Sequence, residues 1–281
     1  LGFASHLFHA SVIRNEQWVI PVAIAAVATM VIVVAMGIRR ANLVNGVIVA
    51  VTIGGLLAFV IGGLRWLSGP NGEWFDPMVD DMGSFSFARD GAGLLEATAL
   101  MFVAYTGYGR IATLGEEVRS PRRTIPRAIG ITLAVSATLY LLVAVVSIGL
   151  LGSDGIAEVT KATAAPLEVA AAMLETPWIR WVVAIAAVTA MLGVLLNLVL
   201  GLSRVAFAMG RRGDLPASVG SVRETTGTPV VAVILVGAII VGLVTLGSVR
   251  IAWSFSAFTV LVYYGITNLA ALRLAPKDRF L

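Results

Sequence analysis

The sequence predicts an all-α fold, a polytopic membrane bundle of about seven spanning helices. Three observations lead there. Of 281 residues, 58% are hydrophobic and 13% charged, against roughly 45–50% and 25% in soluble domains. The mean hydropathy is +0.94, and the apolar residues gather into runs near the 20 or so needed to cross about 30 Å of hydrocarbon. Basic residues, finally, crowd into alternate loops between those runs.

The spans follow in order. Residues 18–37 form the first, with Trp18 as an interfacial anchor and Arg39-Arg40 just beyond its far end. Residues 43–64 return after a tight turn. The segment RWLSGPNGEWFDPMVDDMGSFSFARD is too rich in Gly, Pro and Asp to be embedded. A third, interrupted helix occupies 92–118. Residues 125–151 are entered through Pro126, since proline is tolerated in a first helical turn. Residues 153–177 read as an exposed segment, within which 165–175 is a short amphipathic helix lying at the surface. The run 178–210 is longer than a perpendicular crossing, so it tilts or projects. Residues 229–247 and 251–272 complete the set. The whole of 1–281 reads as one transmembrane domain, and LGFASHLFHASVIRNEQW resembles the tail of an earlier helix, so the expectation is a fragment.

Charge orients these spans. The loops after Gly37, Glu117, Gly210 and Leu272 hold most of the arginines, Arg39, Arg40, Arg122, Arg123, Arg211 and Arg212 among them, which marks those loops as cytoplasmic. The sides alternate through all seven spans. The net charge of +4 is spread over several loops rather than one patch, so no nucleic-acid partner is expected. Cysteine is absent, which excludes disulfides and thiolate metal sites. His6 and His9 without carboxylate support make a weak metal signal, and no metal is expected. No phosphate-binding loop, HExxH or GxSxG motif is present. With no paired catalytic groups at membrane depth, an enzyme is not expected.

The chain is organised around residues 93–129. There an apolar helix meets Ala104-Tyr105-Thr106-Gly107-Tyr108-Gly109, two glycines among polar aromatics. Glycine costs roughly 1 kcal/mol in a helix interior, and a membrane offers no water to the backbone groups that a break would free. Two readings stand side by side. Either the helix breaks and its freed dipoles line a binding cavity, or Gly107 and Gly109 let a neighbouring helix approach.

These residues carry a resemblance. FVAYTGYGRIATLGEEVRSPRRTIPRAI is similar to the sixth-helix signature of the amino acid–polyamine–organocation (APC) superfamily of permeases, with its Gly-aromatic pair and EE(V/I)xxPxRxIPxAI run. SRVAFAMGRRGDLP resembles the end of that family's eighth helix, and NLAALRL its tenth. The resemblance covers essentially the whole chain. It implies a leucine-transporter-like fold with a five-plus-five inverted repeat, here incomplete, in which the seven spans are helices four to ten. It implies a secondary active transporter that moves amino acids across the cell membrane by alternating access. The alternative is a non-transporting amino-acid sensor or assembly subunit on the same fold. The implied partners are an amino acid or organic amine and the lipid bilayer. No cofactor is implied beyond a coupling ion, H+ or Na+.

By the same resemblance, Phe102, Val103, Tyr105, Thr106, Gly107 and Tyr108 occupy the unwound substrate-binding positions. Tyr105 and Tyr108 have a plainer alternative as core aromatics with satisfied hydroxyls. Thr52 stands where some proton-coupled relatives place a lysine, so no amine titrates there. Its hydroxyl either helps to hold sodium or bonds back to its own helix. Arg110 either pairs as an inner gate or snorkels to the cytoplasm. Asn197 either bonds to the site or joins two helices.

Overall fold

A computed structural model describes residues 19–69, 87–107, 118, 120–162, 165–174, 176–223, 227–246 and 249–273. Its elements are helical: α1 (Val19–Ala35), α2 (Ile38–Leu67), α3 (Phe87–Ala104), α4 (Pro121–Ala162), α5 (Pro166–Ala172), α6 (Pro177–Arg212), a 3-10 turn at Ala217–Gly220, α7 (Val230–Leu246) and α8 (Val249–Leu272). Helices α2, α4 and α6 are long and apolar enough to cross a membrane, and shorter apolar helices lie within α1, α3, α7 and α8. Large apolar side chains such as Leu43, Ile61, Leu243 and Phe258 point outward. A soluble protein would not leave so many uncovered, whereas lipid covers them without penalty.

Helix α4 departs from the sequence reading at both ends. Helix α4 begins at Pro121 rather than near Ile125, with the amides of Arg123 and Thr124 both donating to the Ser120 carbonyl. Proline suits a first helical turn, and the chain offers two prolines five residues apart; the earlier one takes that place, leaving Pro126 inside the helix. At its other end the helical path is interrupted at Gly152 (φ 70°, ψ 169°) and then resumes to Ala162, within the segment expected to be exposed. A positive φ of this kind is free of steric cost only for glycine.

The chain divides into two compact units. The first comprises residues 1–83 and 139–246, the second residues 84–138 and 247–281. In the first, α2 and α6 form the most extensive helix pair. They meet so closely that a Cβ on Gly55 would run into the Ala186 methyl and sit 3.2 Å from the Val182 carbonyl oxygen. Small residues at such a crossing let backbones approach, and close packing is what joins helices in lipid.

Around that pair the apolar residues fall into three clusters. Phe59, Val60, Val146, Ala170, Ala171, Leu174, Ile179 and Val183 join α2 and α6 to α4 and α5. Met30, Val34, Ile48, Leu196, Val199 and Val233 join the same pair to α1 and α7. Ala206, Val219, Ala232 and Val236 seat the 3-10 turn.

Helix α5 is short and does not cross, as expected, but its inner face is buried among other helices rather than laid on the surface. Ala170 and Ala171 are fully buried against Phe59 and Val183, with Glu168 buried beside them, while Ala172 stays exposed. Amphipathicity alone cannot tell a face turned toward lipid from a face turned toward other helices. The Glu168 carboxylate receives Arg180 at 3.1 Å, and Arg180 is half exposed. This pair fastens α5 to the first turn of α6. Replacing Arg180 by Gln is expected to lower stability by about 1–2 kcal/mol. That is less than the roughly 3–5 of a fully buried pair, because solvent already screens the guanidinium. Thermal unfolding of the full-length protein in detergent reads this directly; an unchanged midpoint would mean that the pair does not hold α5.

In the second unit, α3 and α8 pack together. Their contact centres on Phe102 and Tyr264.

Candidate functional site

Helix α3 stops at Ala104. The Tyr105 amide donates back to the Phe102 carbonyl at 3.1 Å, an i→i−3 bond that tightens the last turn, and Thr106 and Gly107 are not helical. Gly107 has φ +104°, and a Cβ built there would meet nothing within 4 Å among the described residues. The glycine is thus required by backbone conformation and not by a neighbour's approach.

The chain leaving the helix is held by Tyr264 on α8. Its hydroxyl accepts the Gly107 N–H at 3.4 Å, and its ring meets the edge of Phe102, with centroids 5.6 Å apart and planes at 88°. Tyr263 adds a second edge contact at 5.2 Å. Tyr264 is 8% exposed, so the phenol is fixed in place. Sequence analysis passed over this tyrosine. The signal was a tyrosine in an apolar span, where a buried phenol needs a polar partner.

Phe102, Tyr105, Thr106 and Gly107 are half-buried around this end of α3. No basic side chain occupies the last turn of α3. The C-terminal carbonyls of a helix concentrate about half a negative charge, and here no lysine or arginine from that turn offsets it. The arrangement favours a cationic group, such as an ammonium, beside those carbonyls. The side chain of Val103, all of Tyr108 and Gly109, Arg110 and the expected second half-helix to residue 117 lie outside the described residues. Both histidines, His6 and His9, do so as well.

The other two candidates sit in the first unit, at the α2–α6 seam. Thr52 donates its hydroxyl to the Ile48 carbonyl at 2.9 Å, and Thr189 opposite donates to Ile185 at 2.9 Å, with 3.5 Å between the two oxygens. Each hydroxyl has one proton, and each has a carbonyl of its own helix within reach of it. Asn197 donates to the Asn45 side chain at 2.8 Å and to the Gly193 carbonyl at 2.9 Å. Of the two readings of Asn197, this geometry is that of a helix-joining amide. Asn45 is the partner that sequence analysis did not single out. The structure brings Phe102 and Gly107 together through Tyr264, and joins Thr52 and Asn197 to a different seam.

Residues 2–280 match the sequence profile of the family described as amino acid permease. The chain is 41% identical, over 92% of its length and 56% of the relative's, to an uncharacterized transporter of Mycobacterium tuberculosis. It is 28% identical to the vacuolar cationic amino acid transporter 2 of Arabidopsis thaliana, covering 86% of this chain and 37% of that protein. With the branched-chain amino acid permease BcaP of Bacillus subtilis it shares 29% identity over 70% of this chain and 39% of that protein. The chain spans about half the length, or less, of these relatives.

Proposed function

We propose that this chain, which belongs to the amino acid permease family, supplies the central helices of a secondary active transporter that carries amino acids across the cell membrane. The observation that carries this reading is the end of α3 at Ala104, followed by a left-handed Gly107 with open space beside it. Irregular backbone at membrane depth is tolerated where it lines a cavity, and helix ends of this kind bind substrate in transporters. On this reading the α3 carbonyls take the substrate's ammonium group. Phe102, Val103, Tyr105, Thr106, Gly107 and Tyr108 shape the pocket, and Arg110 serves the inner gate. Transport follows by alternating access, with no covalent step.

The charge of the site favours a neutral substrate side chain. Between Leu100 and Gly107 there is no acidic residue to meet a second positive charge, and an unpaired charge in a low-dielectric site is costly. The named relatives include both cationic and branched-chain carriers, so substrate charge is the informative variable. The coupling ion is H+ or Na+. A proton carrier at Thr52 is disfavoured by a hydroxyl already bonded to Ile48.

The test is counterflow in proteoliposomes holding the full-length protein, with radiolabelled leucine and arginine in parallel. The expected result is leucine exchange well above arginine exchange. Ligand-induced thermal stabilisation without any flux would replace the transporter reading with that of a sensor on the same fold. Arginine exchange exceeding leucine exchange would overturn the substrate assignment alone.

A further inference from the structure

A second site lies in the first unit, on the side that the arginine distribution marks as cytoplasmic. A cavity of about 400 Å³ is lined by Ile32, Ala35 and Met36 from the end of α1, Arg40 from the start of α2, and Arg223. The two guanidiniums come from segments far apart in sequence. Arg40 has Met36 Sδ at 3.3 Å as its partner, a weak acceptor, and neither arginine has a carboxylate partner among the described residues. Arg223 is exposed, but its backbone is held in place. Its amide donates to the Thr228 carbonyl at 3.0 Å and its carbonyl accepts the Gly227 amide at 2.8 Å, while Thr228 is buried.

The start of α2 adds to the positive field. Its N-cap is Gly37, with no side-chain cap, and its first turn holds Arg39 and Arg40 but no acidic residue. Helix N-termini carry about half a positive charge and are ordinarily matched by acids; here arginines are added to it. An anion in the cavity would offset both. The other wall is apolar and open, with Ile32 58% and Met36 41% exposed. Positive charge above an uncovered apolar wall is complementary to a phosphate joined to acyl chains, and basic pockets at the cytoplasmic ends of membrane helices take such headgroups.

We propose that this cavity binds an anionic glycerophospholipid, its phosphate between Arg40 and Arg223 and an acyl chain along Ile32 and Met36. The site is separate from the α3 end and does not depend on the transport reading. The probe is phosphatidylglycerol, titrated into the full-length detergent-solubilised protein and followed by native mass spectrometry, with phosphatidylcholine and inorganic phosphate in parallel.

A basic residue at an anionic surface contributes about fivefold in affinity, so the pair is worth about twenty-fivefold. Phosphatidylglycerol is therefore expected to bind at least about tenfold more tightly than phosphatidylcholine. The double variant Arg40→Gln/Arg223→Gln is expected to abolish that preference, Arg40→Lys/Arg223→Lys to keep most of it, and Arg273→Gln to leave it intact. Arg223→Gln alone, outside every helix, provides a reading should the double variant fail to fold, with about a fivefold loss expected. Equal binding of the two lipids, or an unchanged preference in the glutamine variants, would overturn the proposal. Inorganic phosphate displacing phosphatidylglycerol at comparable concentration would overturn the lipid assignment in favour of a soluble anion.

Discussion

Replacing Gly107 by Leu is expected to reduce uptake by the full-length protein at least tenfold while leaving its amount in the membrane unchanged. The two halves of that expectation come from different facts. Space is not the obstacle, because nothing lies within 4 Å of a Cβ at this position. The φ of +104° is, because residues with a side chain are held there at a cost of about 1–3 kcal/mol. The local backbone would relax to a negative φ, turning the Gly107 N–H away from Tyr264 and reorienting the carbonyls assigned to the substrate. Phe102, Tyr105 and Thr106, which flank it at this end of α3, would move with it.

Tyr264→Phe is the companion variant. It keeps the ring against Phe102 and removes only the hydroxyl, so it should weaken uptake by less, about threefold to tenfold, corresponding to the roughly 0.5–1.5 kcal/mol of one hydrogen bond. Full uptake by the Gly107→Leu protein in proteoliposomes would end the assignment of this helix end to substrate.

The largest loss of stability is expected from Gly55→Leu. An added Cβ there collides with Ala186, and Val182 closes the remaining side with main chain rather than a movable side chain. Overpacking typically costs 1–3 kcal/mol, and the upper end or beyond applies where backbone must shift. Pushing α2 from α6 would also lengthen the Asn45–Asn197 bond and spread the clusters about Phe59 and Val34. The measurement is the thermal midpoint of the purified full-length protein, with Gly54→Leu as comparison, since Gly54 has open space around it. Equal midpoints for the two variants would show that the α2–α6 approach is looser than described.

How much of this was legible in the sequence depends on which force sets each feature. Long apolar runs such as those at α2 and α6 declare themselves, since hydrocarbon thickness fixes their length. The stop near Tyr105 was legible only as one of two readings, because glycine, threonine and tyrosine clustered mid-span oppose helix propensity but small residues also suit a close helix crossing. Boundaries were harder where two solutions were locally equivalent, as with Pro121 and Pro126 at the entry to α4. The burial of α5 could not be read at all. Alanine and leucine on one face satisfy lipid and protein equally, and only the partners Phe59 and Val183 decide between them. Tyr264 and Asn45 were missed for a related reason. A single polar group in an apolar helix announces that it needs a partner but not where that partner is, and theirs lie 157 and 152 residues away.

Helix α6 runs unbroken for 36 residues, with a proline only at its first position. At 1.5 Å per residue it is about 54 Å long. A rod of that length has no joint at which to absorb displacement, so it behaves as a lever. A rotation of about 5° about one end, where Arg180 grips Glu168, would sweep the other end through about 5 Å. Any small change in tilt is thus delivered, magnified and undiminished, to the turn at Ala217–Gly220 that rides on its far end.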